Sequence, residues 1–99
     1  MARKKETFSR YDVTDYLKSE EHMAAYLDAC IEEAGGDAAY IAAALGDIAR
    51  ARGMAKLAKE TGISREGLYK ALSPEGNPSL ATVLKVVQAL GLKLTTKVA

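Results

Sequence analysis

The chain has 99 residues, nearly half of them apolar, few aromatics and a formal net charge of +1. A chain this size buries only about two-thirds of its unfolded surface, which suits one small domain and not two cores. No apolar run approaches the roughly 20 residues of a spanning helix, the opening MARKKETFSR lacks the apolar centre of a signal peptide, and one cysteine, Cys30, excludes an internal disulfide. The expectation is a cytoplasmic protein, with no membrane partner, in which Cys30 serves as a small buried hydrophobe.

The near-neutral total hides a division. Residues 1–10 carry four bases and one acid, residues 11–49 one base and nine acids, and residues 50–99 nine bases and three acids. A basic C-terminal half beside an acidic middle implies two different partners or surfaces.

Residues 1–10, with Arg3, Lys4 and Lys5 clustered and nothing before Phe8 able to bury itself, read as a flexible basic tail. It either aids solubility or reaches phosphates as an arm. Residues 11–99 read as a single helical domain. Asp12-Val-Thr-Asp15 has the outline of a capping box, with Asp where Glu is usual, and predicts a short helical turn from Val13 to Lys18. Ser19 caps the next helix, Glu20 and Glu21 complement its dipole, and the pattern runs to about Ala34 with Met23, Leu27, Cys30, Ile31 and Ala34 inward. Gly35-Gly36 ends it. Asp37 caps a further helix whose inward residues are Ile41, Ala44, Leu45, Ile48 and Ala49, with Arg50 and Arg52 in its last turn and Gly53 as a breaker.

MAKLAKETGISREGLYKAL, Met54 to Leu72, then reads as two short helices joined by a tight turn. Leu57 and Ala58 make an apolar pair on the first, Gly62 can adopt the positive φ that ends it, Ile63 plugs the turn, and Ser64 is a good N-cap for the second. Leu68, Ala71 and Leu72 face inward. Arg65, Glu66, Gly67, Tyr69 and Lys70 are left outward near the N-terminal end, where the second helix of a helix-turn-helix meets DNA bases. The chemistry fits: Arg can bond guanine at O6 and N7, Glu can accept from the cytosine amino group, and Lys or Tyr can reach phosphates or base edges. An amphipathic helix pair with a glycine turn is the plainer reading of the same spacing.

Ser73-Pro-Glu-Gly-Asn-Pro78 is a loop of turn formers. Ser79 caps a final helix with Leu80, Val83, Leu84, Val87 and Leu90 as its inward stripe, and Gly91 ends it. Leu92-Lys-Leu-Thr-Thr-Lys-Val98 alternates incompletely and is rich in β-branched residues, which predicts a short C-terminal β-strand without an intrachain partner. Its edge would be met by a second copy, the favoured reading, by another protein, or by water. The fold class expected is all-α: a compact bundle of about five helices containing a helix-turn-helix, with that short strand appended.

From Arg50 to Leu94 the pattern resembles the phage-repressor-like (Cro/C1, Xre-type) helix-turn-helix. The acidic helical segment, the ALGDIARARGM junction, SREGLYKALS and GNPSLATVLKVVQALG together resemble the addiction-module antidote proteins, over about Tyr11 to Leu94. That resemblance implies the antitoxin of a type II toxin-antitoxin pair, encoded beside a RelE- or HigB-like toxin, binding double-stranded DNA at its own operator and repressing its operon. Carried over residue by residue, it makes Ser64, Arg65, Glu66, Tyr69 and Lys70 the DNA-facing set, with Lys56 near the backbone. The chain departs from the pattern at Met54, where many Xre-type domains carry Gln, and at Gly67, which costs about 1 kcal/mol inside a helix.

A single short helix reaches few bases, so symmetric binding implies a homodimer. The alternatives are a plain Xre-type regulator without a toxin, and a protein-interaction module with little DNA binding that meets a basic toxin through Glu20, Glu21, Asp28, Glu32 and Glu33. A solvated helix face explains those acids equally well. An enzyme is disfavoured: His22 is the lone histidine and reads as a helix-surface residue, Asp12 and Asp15 are capping residues first, and no nucleophile set, metal-ligand cluster or phosphate loop implies a cofactor.

Overall fold

The computed structural model describes residues 16–99, so the basic tail and the Asp12–Asp15 capping box lie outside the described residues. Each of the four side-chain caps expected among the described residues opens a helix. Ser19 Oγ accepts from His22 N at 3.1 Å, Asp37 Oδ1 from Ala39 N at 3.0 Å, Ser64 Oγ from Gly67 N at 2.9 Å and Ser79 Oγ from Thr82 N at 3.1 Å. The helices so started are α1 (Glu20–Ala34), α2 (Ala38–Arg52), α4 (Arg65–Ala71) and α5 (Leu80–Ala89). The fifth, α3 (Met54–Thr61), follows α2 after Gly53 and has no side-chain cap. The described residues form an all-α bundle.

α1 packs chiefly on α2, while α3 sits at the centre of the other half, against α2, α4 and α5. One continuous core results, with Leu17, Leu45, Ile48, Leu57, Leu68, Leu72, Val86, Val87 and Leu90 fully buried. Gly46 on α2 marks the closest approach: a Cβ there would collide with the backbone carbonyl of Leu72 at the end of α4. The glycine therefore lets α2 and the end of α4 meet backbone to backbone.

Three expectations from the apolar pattern are corrected. Ile31 is 44% exposed, because Tyr26 packs on the core from α1 alongside Met23, Leu27 and Cys30. Leu80 and Leu84 are 70% and 40% exposed; Val86 joins Val83, Val87 and Leu90 on the inward side instead. In LATVLKVVQAL apolar residues surround most of the helix, so spacing alone could not select the buried line. The C-terminal strand is absent among the described residues. Among the described residues the last backbone hydrogen bond runs from Leu92 N to Val87 O, and the segment beyond it finds no partner there to make a ladder.

A polar clasp joins α1 to α2. The Tyr26 hydroxyl donates to Asp47 Oδ2 at 2.8 Å, and Arg50 Nη2 donates to Asp47 Oδ1 at 2.7 Å. Burial pushes the Tyr26 phenol well above its ordinary value, and its hydrogen bond to the Asp47 carboxylate and that group's negative charge push the same way. The folded chain thus holds the phenolic proton more tightly than the unfolded chain does. The clasp's contribution is intact below the unfolded value of about 10, and is lost as pH rises above it. Tyr26→Phe should cost about 1 kcal/mol at neutral pH in a denaturant titration. The same variant should lose less stability than the parent between neutral pH and pH values above about 10; parallel pH profiles would refute this role.

Candidate nucleic-acid interface

The turn between α3 and α4 is three residues, Gly62-Ile63-Ser64. Gly62 lies at φ 77°, where a Cβ would be strained, and its N–H donates to Ala58 O. Thr61 braces the turn from inside: its Oγ1 donates to Leu57 O at 2.8 Å and accepts from Ile63 N at 3.2 Å. Ile63 is half-buried against the core. Leu57, Leu68 and Leu72 are at most 1% exposed, so the pair of short helices is fixed by an apolar seam and not by helix propensity.

With that seam inward, Ser64, Arg65, Glu66, Tyr69 and Lys70 are all exposed on α4 and its cap. The Arg65 guanidinium carbon lies 6.0 Å from the Tyr69 ring centroid, at the outer limit of a cation–π contact. This leaves the guanidinium fork open to a ligand. Lys56 is exposed on α3, with Nζ 3.8 Å from Glu60 Oε2, a loose surface pair easily exchanged for another anion.

Gly67 sits apart from the others in the expected set. It is half-buried, and a Cβ there would lie 3.0 Å from Ser64 Oγ and 3.3 Å from Ile63 Cγ2. Its absent side chain makes room for the cap and the turn plug. Met54 is 5% exposed and belongs to the core, so it holds α3 down from within.

Beyond α4, a cleft of about 490 Å³ runs between Gly67, Lys70 and Ala71 and the loop residues Ser73, Glu75, Gly76 and Asn77. Ser73 Oγ donates to Lys70 O at 3.0 Å, and Gly76 N to Ser73 O at 2.8 Å, which folds the loop back onto the helix end.

The second expected surface, the acids of α1, is exposed throughout: Glu20, Glu21, Asp28, Glu32 and Glu33. At about 100° per residue, Glu21, Asp28 and Glu32 fall on one line of the helix. Glu33 turns aside and accepts from the Tyr40 hydroxyl at 2.9 Å. His22 is exposed and stacks on Tyr16, with centroids 4.6 Å apart. Cys30 is 4% exposed. Among the described residues no group of three or more His, Cys, Asp or Glu is placed to hold a metal ion, and no helix is long and apolar enough to cross a membrane.

Sequence reasoning missed two elements of this arrangement. The Tyr26–Asp47–Arg50 clasp spans 21 residues between Tyr26 and Asp47 and leaves no local spacing to read. Thr61 had a legible signal, a threonine one residue before the glycine that ends a helix.

A family model described as "Probable addiction module antidote protein" matches residues 7–98. An "Uncharacterized protein" of Haemophilus influenzae (strain ATCC 51907 / DSM 11121 / KW20 / Rd) is 51% identical over 88 residues, which is 89% of this chain and 89% of that protein. No solved structure matches the chain.

Proposed function

The chain belongs to the addiction module antidote family, and from that membership we propose that it is a DNA-binding antitoxin that represses its own operon as a homodimer. In this reading α3 and α4 are an Xre-type helix-turn-helix, and Arg65, Glu66, Tyr69 and Lys70 meet the major groove. Ser64 and Lys56 approach the phosphates, while Gly67 keeps the recognition helix's cap intact. The carrying observation is the exposed polar side of α4 standing opposite the buried Leu57–Leu68–Leu72 seam. A rigid seam is what such an assignment needs, because base contacts discriminate only when the helix presenting them is held in place.

The basic half of the chain carries this surface, as phosphate neutralisation requires. The acidic line Glu21–Asp28–Glu32 on α1 is assigned to the toxin, a small basic protein of RelE or HigB type, with Glu20 and Glu33 at its margins. Charge complementarity of this kind speeds encounter more than it deepens affinity. Neither surface calls for a cofactor or a chemical step, and both partners place the protein in the cytoplasm.

Co-expression with the product of the adjacent gene tests the toxin half. A complex that survives purification and weakens when Glu21, Asp28 and Glu32 are changed together to Lys is expected. No complex would leave a plain Xre-type regulator, and a complex without any DNA retention would leave a protein-interaction module.

A further inference from the structure

Resting on the homodimer reading above, we infer that the C-terminal segment Lys93–Ala99 is the pairing surface, joining the same segment of a second copy as a two-stranded antiparallel ribbon centred on Thr96. The segment leaves Leu92 and continues to the chain end without a turn or bend. Among the described residues no hydrogen bond falls on it after Leu92 N donates to Val87 O. Its peptide groups are therefore left without hydrogen-bond partners among the described residues, and such open groups can accept another strand. Two of its apolar side chains are also open to solvent: Leu94 is 43% and Val98 99% exposed.

The sequence of the segment selects a second copy as the occupant. With Thr96 on the two-fold axis of an antiparallel pair, residues whose numbers sum to twice 96 stand opposite one another. Leu94 then faces Val98 of the other copy, Thr96 faces Thr96, Thr95 faces Lys97 and Lys93 faces Ala99. Both exposed apolar residues gain an apolar cross-strand partner, and no lysine stands directly opposite another lysine. Shifting the axis by one residue to Thr95 puts Lys93 opposite Lys97 and Leu94 opposite Thr96, so that register is penalised twice. An isologous contact requires this self-complementarity of one patch. Lysines along an open edge discourage pairing with arbitrary strands, so this edge tolerates the copy that offsets them.

The surroundings favour the same arrangement. Leu94 lines a groove of about 470 Å³ between the segment and α1, whose opposite wall includes Ala24, Ala25 and the 44% exposed Ile31. In the Thr96 register Val98 of the second copy arrives beside Leu94 at the rim of this groove, whose segment wall is otherwise Lys93, Thr95 and Lys97. One event would then cover both Leu94 and Val98.

The test uses the full chain in three forms, read by sedimentation at micromolar concentration and by cross-linking under mild oxidation. Thr96→Cys puts two thiols on the axis, with Cα atoms about 4.5–5.5 Å apart, inside disulfide range. Thr95→Cys puts its two thiols diagonally, about 7–8 Å apart, outside it. Cross-linking at Thr96→Cys at least ten times faster than at Thr95→Cys is expected. The third form changes both Thr95→Pro and Thr96→Pro. Neighbouring N–H groups in a strand point to opposite edges, so the double change removes a pairing donor whichever edge is used.

That form should keep the helical circular dichroism of the parent and raise the dimer dissociation constant at least tenfold. A dimeric parent with equal cross-linking at both positions and an unaffected proline variant would overturn the inference alone, and would move the interface elsewhere, as to the exposed Leu80 and Leu84. A parent that stays monomeric would overturn the homodimer reading itself.

Discussion

Arg65→Ala is expected to weaken binding to the proposed operator by roughly 5- to 150-fold, the range of about 1–3 kcal/mol that one bidentate arginine–guanine contact supplies. The side chain is exposed, and its contact with Tyr69 is at the outer limit of cation–π distance, so its removal should leave the fold unchanged. Circular dichroism and a melting curve check that condition. The loss should also be selective: discrimination at one base pair should relax while affinity for unrelated DNA falls far less. Lys70→Ala or Lys56→Ala should behave differently, weakening binding to all sequences alike and reducing the salt dependence by about one charge. Unchanged operator affinity in Arg65→Ala would take Arg65 out of the site.

Gly46→Ala is expected to destabilise the protein, against what the helix alone would predict. In an isolated helix the change gains about 1 kcal/mol, because alanine is the best helix former and glycine a poor one. In the folded chain the new Cβ collides with the Leu72 carbonyl, a backbone atom that cannot rotate away. Overpacking of this kind costs about 1–3 kcal/mol. In a chain of this size each kcal/mol lowers the melting temperature by about 4–8 °C. Since Leu72 ends α4, the displacement should also disturb operator binding. A variant that melts at or above the parent's temperature would show that α2 and α4 can move apart freely.

Much of this arrangement was legible in the sequence because its signals are local. Ser19, Asp37, Ser64 and Ser79 stand where their hydroxyl or carboxylate can meet the first turn of a helix, and all four do so. Gly62 marks the end of α3 for an equally local reason. What the sequence did not disclose depends on tertiary placement. Leu80 and Leu84 have helical spacing but face away from the core, since apolar residues on α5 exceed what one side can bury.

Gly46 reads as a weak point in a helix and becomes intelligible only against Leu72. Gly67 reads as part of an outward set, yet its half-buried position leaves space for Ser64 and Ile63. The C-terminal alternation predicted a strand, and the segment has no strand assignment and no pairing among the described residues. A strand assignment needs a neighbour, and the described residues supply none.

The central claim is that α4 reads a specific DNA sequence. Its most direct test is a binding titration of the protein on the duplex upstream of its own coding sequence, beside an unrelated duplex of equal length, at several salt concentrations. Binding at least about 10³-fold tighter to its own upstream DNA is expected at physiological salt, with affinity for both duplexes falling as salt rises. Equal affinity for the two duplexes, or no retention of either, would contradict it.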